Sequence, residues 1–241
     1  MPEATHRPLR IERIEPENEK TVSFTLDGSL PTVPGQFAML WIPGLDEKPF
    51  SIAAASPLMF TISRVGPFSD ALHALRAGDT LWVRGPFGRG WSAGPEATLL
   101  VGGGYGAAPL AFLASVLLAR GAVVEAAVGA RRAADLLFVR RFAGMGVKLH
   151  AATEDGSSGA RGRVTDVVGP LLGTGRFQRL CACGPEAMLA ALHAQCLAAG
   201  IPAELSYEAY MRCGVGLCGS CEHDGRLVCM DGPVLPGGAP R

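Results

Sequence analysis

Four of the seven cysteines in this chain of 241 residues lie in one glycine-rich segment, residues 213–229, here called the cysteine loop. Their spacing is C-x4-C-x2-C-x7-C, and they are Cys213, Cys218, Cys221 and Cys229. Thiols this close together form disulfides, bind zinc or hold an iron–sulfur cluster, and C-x4-C-x2-C is the spacing of plant-type [2Fe–2S] loops. Structural zinc sites prefer two C-x2-C pairs or cysteine–histidine sets, whereas this loop has one such pair and His223. The pattern favours the cluster.

A glycine cluster in TLLVGGGYGAAPL stands between an apolar segment and a predicted helix. Gly102, Gly104 and Ala107 match the pattern G-x-G-x-x-[GA], and Gly103 and Gly106 complete the cluster. The unpaired N–H groups at the start of a helix suit a pyrophosphate, and glycine lets the backbone approach it closely. The pattern predicts a dinucleotide site, with a ligand-free turn between strand and helix as the alternative.

The residues that would contact the ribose of this nucleotide do not choose between NAD and NADP. In NAD-binding folds an acidic residue follows the glycines by about twenty positions. This chain instead carries Arg131 and Arg132 at the corresponding strand end, in VGARRAAD. Those arginines either bind a 2′-phosphate or are solvated.

A second predicted strand end, in CACGPEAML, carries Cys183, Gly184 and Pro185. Two such ends open on the same edge of a parallel sheet, where ligands bind in open α/β folds. We expect Cys183 to lie beside a nicotinamide. The alternative is a small buried core residue, since free cysteines are often buried.

The elements that must position these motifs change in type along the chain. Six short segments with turn residues between them predict antiparallel strands that close a small barrel: LRIERI, TVSFTL, QFAMLWI, FSIAA, MFTISRV and TLWVRG. A short helix, SDALHAL, interrupts them, with Ser69 as its N-cap. From residue 97, strands alternate with helices, one of them around AADLLFVRRFA, which predicts a doubly wound parallel sheet. The predicted domains are residues 1–96, 97–202 and 203–241.

The composition excludes several classes of partner. The 22 basic and 22 acidic residues cancel, so the chain has no electrostatic signature of a nucleic-acid or membrane-surface protein. The N-terminal segment lacks the apolar core of a signal peptide, and the longest apolar run is broken by Arg120, Gly121 and Glu125. We therefore expect a cytoplasmic protein, in which clustered thiols bind metal more often than they form disulfides.

The barrel, KPFSI, VGGGYGAAP and CGPEAM together resemble the ferredoxin–NADP reductase superfamily. The cysteine loop narrows the resemblance, over nearly the whole chain, to the electron transfer subunits of dihydroorotate dehydrogenase type B. The family's flavin motif, Arg-Pro-x-Ser, falls on Lys48, Pro49, Phe50 and Ser51. Lysine thus replaces arginine and loses its bidentate fork. The next flavin-lining strand of the family falls on Ile62, Ser63 and Arg64, and the family's later Gly-Thr pair falls on Phe68 and Ser69. Without the resemblance, KPFSI would be interpreted as an ordinary strand start.

The resemblance implies a flavin-binding barrel, an NAD-binding α/β domain and a small C-terminal [2Fe–2S] module. Residues 48–51, 62–64, 68 and 69 would bind FAD, the glycine cluster and residues 183–185 would bind NAD, and the four cysteines of the loop would bind the cluster. Electrons would pass from a reduced substrate in a partner through the cluster to FAD and then to NAD⁺. Glu208 either neighbours the flavin or is a solvated surface residue.

The implied partner is an FMN-containing dihydroorotate dehydrogenase catalytic subunit, in a heterotetramer with two copies of each chain. This chain has no second flavin motif and no acid–base pair suited to dihydroorotate, so the oxidation must occur on another chain. Two alternatives remain. One is a subunit of the same fold that serves a hydrogenase, a ferredoxin–NADP oxidoreductase or a sulfur-reducing complex; the other is a zinc-stapled nucleotide-binding regulator without redox activity.

Overall fold

The computed structural model describes residues 5–236 and begins with a closed barrel of six antiparallel strands. The strands follow the order β1-β2-β5-β4-β3-β6, and a short helix, α1, connects β5 to β6. Their bounds are β1 (Arg7–Pro16), β2 (Thr21–Leu26), β3 (Phe37–Ile42), β4 (Asp46–Ala55), β5 (Leu58–Ser63), α1 (Pro67–His73) and β6 (Thr80–Phe87). Alternate residues fill the interior, as Leu58, Phe60 and Ile62 of β5 do. The predicted barrel is confirmed.

The expectation that Ser69 caps α1 is wrong. The helix begins at Pro67, so Ser69 lies within its first turn, and Gly66 is the N-cap. Proline is favoured at this position because its fixed φ suits the first helical residue and its missing N–H has no partner to lose. The Ser69 hydroxyl instead accepts the backbone N–H groups of Val65 (2.8 Å) and Gly66 (3.0 Å), which fixes the loop that leads into the helix.

From residue 98 onward, strands alternate with helices and form a layered α/β structure next to the barrel. Their bounds are β7 (Thr98–Gly103), α2 (Ala107–Ala119), β8 (Val124–Ala130), α3 (Val139–Gly144), β9 (Lys148–Thr153), β10 (Ala160–Arg161), α4 (Val164–Leu172), β11 (Arg179–Cys183), α5 (Glu186–Ala199) and β12 (Ala203–Ser206). After the cysteine loop come β13 (Glu222–His223), β14 (Arg226–Leu227), α6 (Val228–Asp231) and β15 (Val234–Pro236). The main sheet has the order β10-β9-β8-β7-β11-β12-β15, with all strands parallel except β15.

Helices cover both faces of this sheet, because successive residues of each strand point to opposite sides. Leu100 and Cys181 pack on the face of α2 and α3, whereas Leu99, Val101 and Leu180 pack on the face of α4 and α5. Helix α2 also contacts β4 of the barrel and therefore lies between the two halves of the molecule. The doubly wound arrangement is confirmed. Within the described residues, no helix combines the length and apolarity that crossing a bilayer requires.

The single helix predicted around AADLLFVRRFA is two separate turns in the structure. A 3₁₀ turn covers Ala133–Asp135, and α3 covers Val139–Gly144. Between them, Leu137 and Phe138 are buried in the core, and Phe138 adopts a left-handed conformation with φ 62°. Burial of these two side chains sets the chain path, and local helix propensity does not.

The C-terminal segment is shared between the two halves of the molecule. β12 extends the parallel sheet next to β11, and β15 returns antiparallel beside β12. The cysteine loop between them packs on the barrel, where Cys221 and Cys229 share a hydrophobic cluster with Phe37, Met39 and Phe87. The division into three domains at residues 96 and 202 stays a prediction, and its outer bounds, residues 1 and 241, lie outside the described residues.

Candidate functional site

A cavity of about 240 Å³ lies where the barrel, the parallel sheet and the segment before the cysteine loop meet. The strands β4 and β5 form one wall, and the start of α2 with the ends of β11 and β12 forms the other. Its lining residues are Phe37, Pro49, Phe50, Ser51, Thr61, Ile62, Ser63, Val65, Tyr105, Gly106, Ala108, Pro109, Cys183, Ser206, Tyr207, Glu208, Ala209, Met211 and Pro233. The cavity lies at the carboxyl ends of β11 and β12, on the edge where open α/β sheets bind ligands.

The structure brings together part of the predicted site. Eight of the predicted residues line the cavity: Pro49, Phe50, Ser51, Ile62, Ser63, Gly106, Cys183 and Glu208. The others lie outside its lining: Lys48, Arg64, Phe68, Ser69, Gly102, Gly103, Gly104, Gly184 and Pro185. The cavity thus collects residues from both predicted cofactor sites on facing walls.

The barrel wall of the cavity is mainly apolar and carries a few hydroxyl groups. The Ser63 hydroxyl is 2.7 Å from that of Thr21, and the Thr61 hydroxyl is 2.8 Å from that of Ser23, so both are oriented by β2. Phe50 lies on this wall and stacks on Phe68 behind it, with ring centroids 6.1 Å apart. Such a wall fits a flat heteroaromatic ring, since ligand sites pair apolar contact with a few placed polar groups.

Two cations flank this wall on the surface. Lys48 Nζ is 2.6 Å from the Asp46 carboxylate and 5.5 Å from the ring centroid of Tyr210. Arg64 Nε donates to the Asp70 carboxylate over 2.9 Å. The Lys48 hydrogen bond, with that of the Glu47 backbone, lowers the pKa of Asp46. Both cations are paired through exposed carboxylates, and such pairs are weak enough to exchange for a phosphate.

The glycine cluster brings the ends of β7 and β11 into close contact. A Cβ on Gly106 would lie 2.2 Å from the Cys183 carbonyl oxygen, and one on Gly102 would lie 3.0 Å from the Cα of Ala107. A Cβ on Gly103 would lie 2.9 Å from Pro185 Cδ. These glycines therefore have a packing role that does not depend on a nucleotide. Gly104 differs, because its φ is +53° and its Cβ position meets no atom within 4 Å.

Tyr105 is a site residue that the sequence patterns missed. Its hydroxyl donates to Glu208 Oε2 over 3.1 Å and joins the glycine cluster to the segment before the cysteine loop. Burial, together with the nearby Glu208 carboxylate, raises the pKa of Tyr105, so its hydroxyl stays a donor. Burial likewise raises the pKa of Cys183 to about 12, which keeps that thiol neutral. The sequence feature that could have indicated Tyr105 is an aromatic residue within the run of glycines at residues 102–106.

The thiols of the cysteine loop lie close enough to affect one another's pKa: Cys213 acts on Cys218, and both Cys221 and Cys213 act on Cys229. Backbone N–H groups point at two of them: that of Val215 at Cys213 Sγ and that of Cys229 at Cys221 Sγ, each at 3.4 Å. Hydrogen bonds from the Ser220 hydroxyl and backbone lower the pKa of Cys218 to about 6.

The backbone of the cysteine loop has the form that an anionic cluster needs. Gly214, Gly216 and Gly219 all have a positive φ, of 72°, 78° and 71°, which a residue with a side chain would adopt only with strain. A tightly curled loop of this kind directs N–H groups inward, toward an anion.

The donor set of the cysteine loop fits a [2Fe–2S] cluster, which takes four thiolates, two on each iron. Structural zinc sites more often use two C-x2-C pairs or combine cysteines with histidine. The ring of His223 packs on that of Tyr207, with centroids 5.5 Å apart.

The cavity and the cysteine loop are neighbours in space. Phe37 and Met211 line the cavity and also belong to the hydrophobic cluster that contains Cys221 and Cys229. The side chains of Phe37 and Met211 are buried. One hydrophobic cluster therefore connects the two candidate sites.

Solved structures of redox proteins share this fold. The structure described as giving insights into flavin-based electron bifurcation, that of the NADH-dependent reduced ferredoxin–NADP oxidoreductase, matches with a TM-score of 0.87 and 28% identity. It covers 95% of this chain and 88% of that one. The Amycolatopsis cytochrome P450 reductase GcoB matches with a TM-score of 0.70 and 27% identity, over 81% of this chain and 67% of that one.

Sequence relatives cover the chain almost from end to end. The family model for the iron–sulfur cluster binding domain of dihydroorotate dehydrogenase B matches residues 208–239. A protein of Methanocaldococcus jannaschii is 38% identical over 95% of this chain and 88% of its own length, and one of Methanothermobacter thermautotrophicus is 42% identical over 94% and 87%. Both are described as probable dihydroorotate dehydrogenase B (NAD(+)), electron transfer subunit. The chain belongs to this family of electron transfer subunits.

Proposed function

We propose that the chain passes electrons between a dihydroorotate dehydrogenase catalytic subunit and NAD, through a [2Fe–2S] cluster and FAD, in pyrimidine biosynthesis. The proposal is supported by the family to which the chain belongs and by the fit of its two candidate sites. The observation that carries it is that Phe37 and Met211 line the cavity and also belong to the hydrophobic cluster that contains Cys221 and Cys229. Such a connection would suit electron transfer between the two cofactors.

The residues of the chain bind and orient the cofactors, which supply the redox chemistry. When bound, FAD exchanges electron pairs with a nicotinamide and single electrons with a [2Fe–2S] cluster. Phe50, the backbone at Ile62 and the hydroxyls of Ser51 and Ser63 would contact the flavin ring, with Lys48 and Arg64 near its phosphates. The four cysteines of the loop would ligate the cluster.

On the facing wall, Gly106, Cys183 and the Tyr105–Glu208 pair would meet the nicotinamide. Because burial keeps the Cys183 thiol neutral, this thiol would add no negative charge beside the nicotinamide. The remaining residues of the glycine cluster would lie along the pyrophosphate.

The partner in this proposal is an FMN-containing catalytic subunit, in a heterotetramer with two copies of each chain. The candidate sites of this chain include no acid–base pair beside a second flavin site, so the oxidation of dihydroorotate belongs to the other subunit. We place the complex in the cytoplasm. This is supported by the seven cysteines, all of which are free of disulfides.

The proposal is tested by the visible absorption spectrum of the anaerobically purified protein, taken before and after NADH, with flavin and metal contents. We expect about one FAD and about two iron atoms per chain, and bleaching of both chromophores by NADH. A colourless protein with one zinc ion and no iron would overturn the proposal and establish a zinc-stapled regulator instead.

A second candidate function is favoured by the solved structure of the NADH-dependent reduced ferredoxin–NADP oxidoreductase, which shares the whole fold. In that case the same cofactors would serve a ferredoxin, hydrogenase or sulfur-reducing partner. Affinity purification of the chain from its own cells separates the two. Dihydroorotate-dependent reduction of NAD⁺ by the purified complex supports the first function, and its absence beside ferredoxin-dependent activity supports the second.

The lysine at position 48 gives a prediction about FAD retention. Replacing Lys48 with arginine restores a bidentate donor for phosphate, so we expect the dissociation constant of FAD to fall about threefold or more. Lys48→Met removes the charge and is expected to raise that constant about tenfold. Both are measured by flavin fluorescence during dilution. Lys20→Met, an exposed lysine in the turn before β2, is the control and should leave FAD affinity unchanged.

A further inference from the structure

A buried arginine connects the barrel to the first cysteine of the loop. Arg84, on β6, has a side chain that is 10% exposed. Its Nε and Nη2 donate to the two carboxylate oxygens of Glu47 over 3.0 and 2.7 Å, and Nη2 also donates to the Cys213 carbonyl over 3.0 Å. One guanidinium group thus joins Glu47 to Cys213, which lies 129 positions after Arg84 in the sequence.

Glu47 places this contact next to the predicted flavin motif. It immediately precedes residues 48–51 on β4, and its carboxylate also lies 2.7 Å from His6 Nε2. Burial opposes ionisation of Glu47, but the hydrogen bonds of Arg84 and His6 outweigh it and lower the pKa of Glu47. Arg84 and Glu47 therefore form a charged pair that lies one residue before the predicted flavin motif and one hydrogen bond from Cys213.

The contact is tightly packed. The Arg84 guanidinium lies 5.0 Å from the ring centroid of Phe87, which belongs to the same hydrophobic cluster as Cys221 and Cys229. A Cβ on Gly214 would lie 3.2 Å from Met39 Cγ and 3.5 Å from the Phe87 ring. The loop thus lies directly on β3 and β6. Charges buried in such a contact are screened much less by salt than charges on the surface.

We propose that Arg84 is a positioning residue for electron transfer, which holds Cys213 on the barrel and, balanced by Glu47, sets the electrostatic potential at the cysteine loop. The inference rests on the proposed function, because it requires a cluster on the four cysteines. Reduction adds one electron to that cluster. A nearby positive charge favours the reduced state, and a nearby negative charge favours the oxidised state.

The pair predicts shifts of opposite sign in the reduction potential of the cluster. Arg84→Met removes the positive charge, leaves the Glu47 carboxylate with His6 as its partner and lowers the potential. Glu47→Gln, which is isosteric, leaves the arginine uncompensated and raises it. The double variant brings the potential back toward the wild-type value. The potentials are measured on the purified holoprotein by anaerobic titration followed by electron paramagnetic resonance.

A second measurement reports the positioning role. Arg84→Lys keeps the charge but not the fork, so we expect a potential near that of the wild type and release of iron to a chelator at least tenfold faster. The control is Arg176→Met, which breaks another Arg–Glu pair, 3.0 Å from Nη2 to the Glu125 carboxylate, at the parallel sheet. It should change neither quantity.

The outcomes separate the inference from the function on which it rests. Shifts of the same sign in Arg84→Met and Glu47→Gln, or no shift in either, overturn the role of the pair even when the cluster is intact. A wild-type protein without an iron–sulfur signal overturns the proposed function as well. If Arg84→Met does not fold, Glu47→Gln and Arg84→Lys still decide, because the first must raise the potential and the second must not.

Discussion

Replacing Cys229 with serine is expected to abolish iron binding, from about two iron atoms per chain to less than a tenth of that, while FAD remains bound. Cys229 is 1% exposed, its sulfur interacts with that of Cys221, and it lies in the hydrophobic cluster on the barrel. Serine keeps the size of the side chain but is a poor iron ligand, because its hydroxyl stays protonated. The variant should therefore reduce an artificial one-electron acceptor with NADH, through the flavin, but transfer no electrons to or from the catalytic subunit.

The matched control is Cys196→Ser. Cys196 is also 1% exposed, but it lies on α5 in the core of the parallel sheet, and burial raises the pKa of its thiol. We expect its iron content and activity to equal those of the wild type. Iron retained in Cys229→Ser would contradict the assignment of the four ligands. Loss of iron in Cys196→Ser as well would mean that the cluster is lost through misfolding and not through a missing ligand.

The parts of this molecule that local patterns encode were predicted from the sequence. The alternation in β5 puts Leu58, Phe60 and Ile62 inside the barrel and Thr61 and Ser63 outside, and a period of two is visible in six residues. The spacing of the cysteines is equally local, since all four lie in one short loop, and their role as cluster ligands stays a prediction. Family resemblance then added the cavity residues on β4 and β5, which look like an ordinary strand on their own.

The parts that long-range contacts decide were not predicted. Tyr105 meets Glu208 across 103 positions, and Arg84 meets Cys213 across 129. No periodicity in either segment names its partner, because each contact depends on how the barrel, the sheet and the loop pack together. Ser69 shows the same limit at short range, since a proline two residues earlier moved the start of the helix. Sequence patterns and the family resemblance thus predicted residues on both walls of the cavity, but not the contacts that join the two walls.

Replacing Gly106 with alanine is expected to destabilise the protein by about 3 kcal/mol, which lowers its melting temperature by about 6–12 °C. The backbone of Gly106 has ordinary helical angles, so alanine costs nothing there in backbone strain. The cost is steric, because the new Cβ would lie 2.2 Å from the Cys183 carbonyl oxygen and 3.0 Å from the Gly184 nitrogen. Backbone atoms cannot rotate away, so the ends of β7 and β11 must separate.

Gly104→Ala is the control variant, because it separates the steric cost of an added Cβ from the cost of losing the backbone freedom of glycine. Gly104 has the left-handed φ that alanine disfavours by about 1–2 kcal/mol, but nothing lies within 4 Å of its Cβ position. Because Gly106 and Cys183 both line the cavity, Gly106→Ala should also raise the dissociation constant of NADH about tenfold, with FAD on the barrel unaffected. Calorimetry and NADH titration of the flavin spectrum measure the two effects. Equal stability of the two variants would show that the strand ends are not held by this contact, and unchanged NADH affinity in Gly106→Ala would place the nicotinamide away from Cys183.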